Sequence, residues 1–143
     1  MNPKNAFLLE IRAKLFIEQG KDSAAYKIFS ELWDKSGDYT YLWEMTYVDL
    51  YIYENIKKVE AVIAEIIKNK QSEVFKVRVE QLEEHTIQSI PAKAAFLYLR
   101  VILQSAQGQI PKAKKTLEDV IKIAPEFLSA QRALYQLKNP QYR

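Results

Sequence analysis

Short connections between helical segments constrain the fold of this chain more than any other feature. Its 3 Gly and 5 Pro residues help to divide it into segments of about 12 to 17 residues that carry apolar side chains at helical spacing. The dividing residues are Asn2 with Pro3, Gly20, Gly37, Pro91, Gly108, Pro111, Pro125, and Asn139 with Pro140. Because roughly two to four residues join successive segments, each helix must fold back antiparallel on its neighbour. The pattern predicts about eight antiparallel helices stacked as helical hairpins.

Polar residues and glycines mark the ends of several of these helices. Asn2 can cap the first helix, either Asp22 or Ser23 the second, and Asp38 the third, because each side chain can accept a hydrogen bond from a free amide of the first turn. Gly20 and Gly37 follow the first and second helices, where a left-handed residue commonly ends a helix.

The composition agrees with an all-α class. Hydrophobic residues make up 48% of the 143 residues and charged residues 27%, as in ordinary globular domains. The chain has too few glycines and prolines for the many tight turns that an all-β protein needs. We therefore expect one domain over residues 1–143. The absence of Cys excludes disulfides and thiolate metal sites. Because the sequence also shows no signal peptide and no long apolar run, we expect a cytoplasmic protein.

The chain also repeats at an interval of 34 residues. Leu9 aligns with Trp43 and Phe16 with Leu50, each pair 34 positions apart. A third copy begins at Ala94. We therefore predict repeat-like units at residues 6–39, 40–73 and 94–127, an extra helix at 73–90 and a capping helix at 126–138.

The first and third copies resemble the tetratricopeptide repeat. That family alternates bulky and small residues through two helices joined by a Gly-like junction. The first copy has Leu9, Ala13, Phe16, Gly20, Ala25, Phe29 and Leu32 at these positions. The third has Leu97, Gly108, Ala113, Leu117, Val120 and Pro125, and it departs from the pattern at Val101 and Gln104. The resemblance to this superfamily, with degenerate repeats, implies a TPR-like α-solenoid.

Two parts of the chain depart from the repeat pattern. The second copy has Tyr47 and Val59 where small residues are expected, so its two helices should lie further apart or cross at another angle. The stretch from 74 to 93 is too short for a full repeat. Helical spacing predicts one irregular middle helix here. The residues that lie along one face of it are Phe75, Val79, Leu82 and Thr86.

The residue types needed for catalysis are scarce. His85 is the single His, and the sequence has neither HExxH nor ExxH around it. No Ser lies in a GxSxG turn, and the glycines are isolated rather than clustered as in a phosphate-binding loop. We expect no enzymatic activity, no cofactor and no metal. A net charge of +3 is also too small for a typical nucleic-acid binder.

The resemblance implies a partner-binding groove. In the family, the first helix of each hairpin lines a concave surface that holds partner peptides. The matching positions here are Phe7, Glu10, Lys14, Ile17, Tyr41, Glu44, Val48, Tyr51, Tyr98 and Ile102. Helical spacing in the Tyr-rich third segment places Trp43, Tyr47 and Leu50 on the packing side and Tyr41 and Tyr51 largely towards the other. Such a groove has few charges and suits an amphipathic helix or an apolar peptide.

One family specificity is not expected. Members that grip a C-terminal carboxylate use a cluster of Lys, Arg and Asn on their first helices. Lys14 and Arg100 are the only basic residues near the corresponding faces here, and no Asn accompanies them. The same surface could instead be covered within the protein, by the irregular helix or by a second copy of the chain.

Three functions remain open at this point. The leading one is a non-catalytic protein–protein interaction module, acting as an adaptor, an assembly factor or a chaperone-like scaffold. The alternative is an architectural subunit permanently buried in a larger complex, or in a homo-oligomer such as a homodimer, through its Tyr-rich helix. The third, an RNA-binding α-solenoid, is disfavoured because it needs regular repeats and a basic groove.

Overall fold

The computed structural model describes residues 2–81 and 85–139. Within them lie seven α-helices, one 3₁₀ turn and two strands. In chain order they are α1 (Pro3–Glu18), α2 (Asp22–Ser36), α3 (Tyr39–Tyr51), α4 (Ile56–Lys68), the 3₁₀ turn (Lys70–Glu73), β1 (Lys76–Gln81), β2 (Thr86–Pro91), α5 (Ala92–Ala106), α6 (Ile110–Ile123) and α7 (Leu128–Lys138). They form two compact units, Met1–Val59 and Glu60–Arg143.

Several helix ends of the first unit lie at the residues that the sequence marks. The Asn2 side chain accepts a hydrogen bond from the Lys4 amide at 2.9 Å, and the Asp38 side chain accepts one from the Thr40 amide at 2.9 Å. Gly37 ends α2 in the left-handed region with φ of +66°, where a side chain would be strained. The expected cap of α2 is wrong, because Lys21 occupies that position without a side-chain hydrogen bond.

The core of the first unit lies between α1, α2 and the start of α3. Its fully or nearly buried members are Ala13, Ala25, Phe29, Leu32 and Tyr41. Ala13 and Ala25 are both completely buried, and such small side chains let helix backbones approach closely while Phe29 fills the space between them.

The predicted helix over 73–90 is wrong. This stretch contains β1 and β2, which pair antiparallel with Val77 opposite Ile90. On β1, burial alternates between neighbouring residues, so that Val77 and Val79 are buried while Lys76 and Glu80 are exposed. Period-two burial of β-branched residues is typical of a strand and not of a helix. Because this segment is extended, the described residues contain seven α-helices where about eight were predicted. Leu82, which was expected on the helical face, lies outside the described residues.

The strands also hold the start of α7. The Gln81 side-chain oxygen accepts hydrogen bonds from the Ser129 amide at 2.8 Å and from the Ser129 hydroxyl at 2.5 Å. The Gln88 side-chain oxygen accepts one from the Leu128 amide at 2.9 Å. The first helical amides of α7 are therefore capped by two strand glutamines, whereas Phe127, at the N-cap position, makes no side-chain hydrogen bond to the helix.

The core of the second unit includes side chains from α5, α6 and the start of α7. Among its fully buried residues are Phe96, Leu99, Ala113, Leu117 and Phe127. Within the two described ranges, no helix combines the length and the apolar character needed to cross a membrane.

Candidate partner-binding surface

The predicted contact residues fall into three groups by burial. Phe7 and Tyr51 are exposed, at 60% and 49%. Five residues are half-buried: Lys14, Ile17, Glu44, Tyr98 and Ile102. The remaining three, Glu10, Tyr41 and Val48, are at most 5% exposed. Because a partner cannot reach a side chain enclosed by its own chain, we remove these three from the candidate surface.

Tyr41 belongs to the core of the first unit. Its ring stacks on that of Phe29, with centroids 6.4 Å apart and planes 27° apart. Spacing alone placed Tyr41 opposite Trp43 and therefore outside, on the assumption that α3 buries one face. In the structure α3 is covered on most sides, and Tyr41, Trp43, Val48 and Leu50 are all buried. Both sides of the helix pack, which explains the wrong assignment.

A row of aromatic rings runs along α3 from a buried residue to two exposed ones, and we call it the α3 aromatic column: Trp43, Tyr47 and Tyr51. Ring centroids lie 5.5 Å apart between Trp43 and Tyr47 and 4.4 Å apart between Tyr47 and Tyr51. Exposure rises along the column from 7% through 37% to 49%. Residues four apart are neighbours on a helix surface, so each ring rests on the next. The column is anchored at Trp43 and open at Tyr51.

Tyr47 is exposed at 37%, whereas its helical spacing assigned it to packing. The signal that identifies it is the repeated spacing of four between three aromatic residues. Burial of its ring raises the pKa of the Tyr47 phenol above its ordinary value, and the nearby Glu44 carboxylate raises it further. Tyr47 therefore stays neutral at physiological pH. The column offers aromatic faces together with phenol groups that can donate hydrogen bonds.

In the second unit, Tyr98 and Ile102 lie one turn apart on α5, both half-buried. The Tyr98 ring meets the buried Phe127 ring edge-on, with centroids 5.0 Å apart. Part of Tyr98 therefore packs on the core of its own unit, and these two residues present less free surface than Tyr47 and Tyr51.

A polar network in the first unit joins α2, α3 and the first turn of α4. The Tyr26 hydroxyl donates a hydrogen bond to Asp49 at 3.0 Å and accepts one from the Lys58 ammonium at 2.5 Å. The Lys58 Nζ atom lies 3.4 Å from the Asp49 Oδ2 atom. Burial raises the pKa of Tyr26, and Asp49 adds to the rise while the Lys58 hydrogen bond opposes it. The Tyr26 hydrogen bond, followed by Asp49, raises the pKa of Lys58 against desolvation.

We expect this network to stabilise the protein at neutral pH and to lose its effect in alkali. The pKa values of Tyr26 and Lys58 are both raised on folding. The stabilisation is therefore complete below their ordinary pKa values of about 10, and it is lost as the pH rises through the raised pKa values. Tyr26→Phe should lower the free energy of unfolding by about 1 to 2 kcal/mol at pH 7. Urea unfolding at several pH values should show the difference from wild type shrinking above about pH 10.

The matched control is Tyr53→Phe. Tyr53 is 46% exposed and its ring lies 5.8 Å from that of Tyr26, a contact that the substitution keeps. We expect no change in stability and no added pH dependence from this variant. A Tyr26→Phe deficit that stays constant into strong alkali would contradict the proton linkage.

Comparison with known proteins supports the fold. No protein-family model and no curated protein matches the sequence. Among solved structures, the chain is similar to the first TPR of Spaghetti (RPAP3), which was solved bound to the HSP90 peptide SRMEEVD. The two are 14% identical over 100% of each chain, with a TM-score of 0.56. The chain thus has a TPR-like, predominantly helical fold of stacked hairpins, as the repeat pattern predicted.

Proposed function

We propose that this protein is a non-catalytic interaction module that binds a helical or extended apolar peptide of another protein. The observation that carries the proposal is the α3 aromatic column, which exposes Tyr47 and Tyr51 at 37% and 49%. Its fold supports the same function, because the similar TPR of RPAP3 was solved with a peptide bound. Such a module would act as an adaptor, an assembly factor or a chaperone-like scaffold, and the Cys-free composition fits work in the cytoplasm.

The column is suited to binding because its rings are already ordered. Tyr47 rests on the buried Trp43 ring at 5.5 Å, and Tyr51 rests on Tyr47 at 4.4 Å. Little side-chain entropy is then lost when a partner covers them. Tyr also gives a large contact area with few rotatable bonds and a hydroxyl that can bond to a peptide backbone. These properties favour a hot spot centred on Tyr47 and Tyr51.

The surrounding charges favour an apolar peptide over an acidic tail. Lys14 is the only cation among the ten predicted contact residues, whereas Glu44 lies one turn from Tyr47 on the same helix and raises its pKa. A carboxylate-rich ligand would meet a like charge from Glu44. We therefore expect the acidic peptide SRMEEVD to bind with a dissociation constant weaker than about 1 mM.

The test uses a random 15-residue peptide library displayed on phage and selected on the immobilised protein. Selected peptides are then titrated in solution by fluorescence polarisation against wild type and the Tyr47→Ala/Tyr51→Ala variant. We expect apolar or amphipathic peptides whose affinity falls about 10- to 100-fold in the double variant. Both positions are partly exposed, so circular dichroism should show unchanged helicity.

Tyr135→Ala is the matched control, since Tyr135 is an equally exposed tyrosine on α7, at 55%. It should bind the selected peptides as wild type does. The proposal is overturned if the folded double variant retains full affinity, or if the library yields no peptide that binds in solution.

A further inference from the structure

The outward face of α1 is apolar although it is exposed. Leu8, Ile11 and Leu15 are 55%, 41% and 49% exposed, and the neighbouring Phe7 is 60% exposed. On the other side of the helix, Ala13 is buried and Leu9 packs against the core of the first unit. An amphipathic surface helix normally has one apolar face, so α1 carries a second, uncovered one.

The spacing on this face is that of a coiled-coil seam. Leu8, Ile11 and Leu15 are separated by three and then four residues, and such alternation keeps one stripe directed at a partner helix. The same alternation reaches Lys4, four residues before Leu8, and Glu18, three residues after Leu15. We call these five residues the α1 seam. It is an apolar centre with a cation at one end and an anion at the other.

We propose that the α1 seam is the interface of a homodimer in which two copies of α1 pack antiparallel about a twofold axis near Ile11. Antiparallel packing brings Lys4 of each copy towards Glu18 of the other, because the two charges lie seven residues on either side of Ile11. Parallel packing would instead place like charges together at both ends, which is unfavourable. The seam is thus complementary to itself, as a twofold interface requires.

The size of the seam sets the strength of the dimer. One 16-residue helix provides less than the roughly 800 Å² per partner that is usual for a stable interface. In the dimer, the exposed Arg12 residues of the two copies would lie near each other beside the seam, and their like charges would weaken it. Salt screens this repulsion, and each Arg12 is stacked over the Phe16 ring of its own helix at 5.3 Å. We expect a concentration-dependent dimer rather than a permanent one.

Sedimentation equilibrium from about 5 to 500 µM, a range that brackets a weak interface, tests the proposal. The mass of wild type should rise from that of one chain towards that of two. Ile11→Glu should stay monomeric throughout, since it places a charge at the centre of the seam. Val74→Glu, the same change at a residue 72% exposed in the second unit, should dimerise as wild type does.

Charge reversal and crosslinking test the orientation. Glu18→Lys should weaken the dimer, and adding Lys4→Glu should restore it, because the end pairs regain opposite signs. In this Cys-free chain, oxidised Ile11→Cys should form a disulfide-linked dimer. Lys4→Cys should not, since antiparallel packing holds these two positions about 21 Å apart.

Several outcomes overturn the proposal. The proposal is wrong if wild type is monomeric at every concentration, or if folded Ile11→Glu dimerises like wild type through another surface. It is also wrong if Lys4→Cys crosslinks as well as Ile11→Cys does. The result is separable from peptide binding, because the seam lies on α1 and the aromatic column on α3. Ile11→Glu should keep full peptide affinity, and Tyr47→Ala/Tyr51→Ala should keep the dimer.

Discussion

Replacing Tyr41 with alanine should lower the free energy of unfolding by about 3 to 5 kcal/mol. The ring is 5% exposed and stacks on Phe29 at 6.4 Å within the core of the first unit. Its removal leaves a cavity whose small neighbours, such as Ala25, cannot extend to fill it. Urea unfolding followed by tryptophan fluorescence measures the loss, because Trp33 and Trp43, the only tryptophans, both belong to the first unit.

Tyr51→Ala is the matched control on the same helix. This ring is 49% exposed and rests on the partly exposed Tyr47 ring, so we expect a loss of about 1 kcal/mol or less. Similar small losses at both positions would mean that Tyr41 does not belong to the core, and it would return to the candidate surface. A large loss at Tyr51 alone would reverse the roles of the two tyrosines.

The helix ends were predictable because their causes are local. Asn2 and Asp38 each bond an amide two residues away, and Gly37 ends α2 through its own backbone angle. These interactions lie within one turn, so the sequence at each end contains the information that decides it. The small residues Ala13 and Ala25, both completely buried, predicted close helix packing, because small side chains let helix backbones approach.

The strands were not predictable in the same way. Val79 fits both the helical spacing from Phe75 and the alternation with Val77 and Gln81, so periodicity alone left the segment open. The contacts that favour the extended form are distant in sequence. Gln81 bonds Ser129, 48 residues later, and Gln88 bonds Leu128, 40 residues later. A strand whose polar side chains cap a later helix depends on that helix, and local pattern does not show it.

The exposed residues of α3 were predicted only in part. The Tyr-rich helix was recognised as the distinctive feature, and Tyr51 is indeed exposed. The expected exposure of Tyr41 and packing of Tyr47 were wrong, because spacing shows which residues share a face but not how many faces a helix buries. That number depends on the elements packed around α3, and in the structure they cover most of it.

Phe127→Ala should also cost about 3 to 5 kcal/mol, here in the second unit. Phe127 is fully buried immediately before α7, and its ring meets Tyr98 edge-on at 5.0 Å. Gln81 and Gln88 bond only polar groups of α7, the Leu128 and Ser129 amides and the Ser129 hydroxyl, so they cannot replace the lost apolar contact. Far-UV circular dichroism during urea unfolding should show the loss, because the second unit contains no tryptophan.

Two further variants separate the causes of that loss. Phe127→Leu keeps an apolar side chain at the site and should cost less than about 1.5 kcal/mol. Tyr135→Ala, on the same helix at a position 55% exposed, should be close to neutral. If Phe127→Ala were as mild as Tyr135→Ala, the backbone caps from Gln81 and Gln88 would be sufficient to hold α7. In that case the β-strands, rather than the buried ring, would be the main anchor of the last helix.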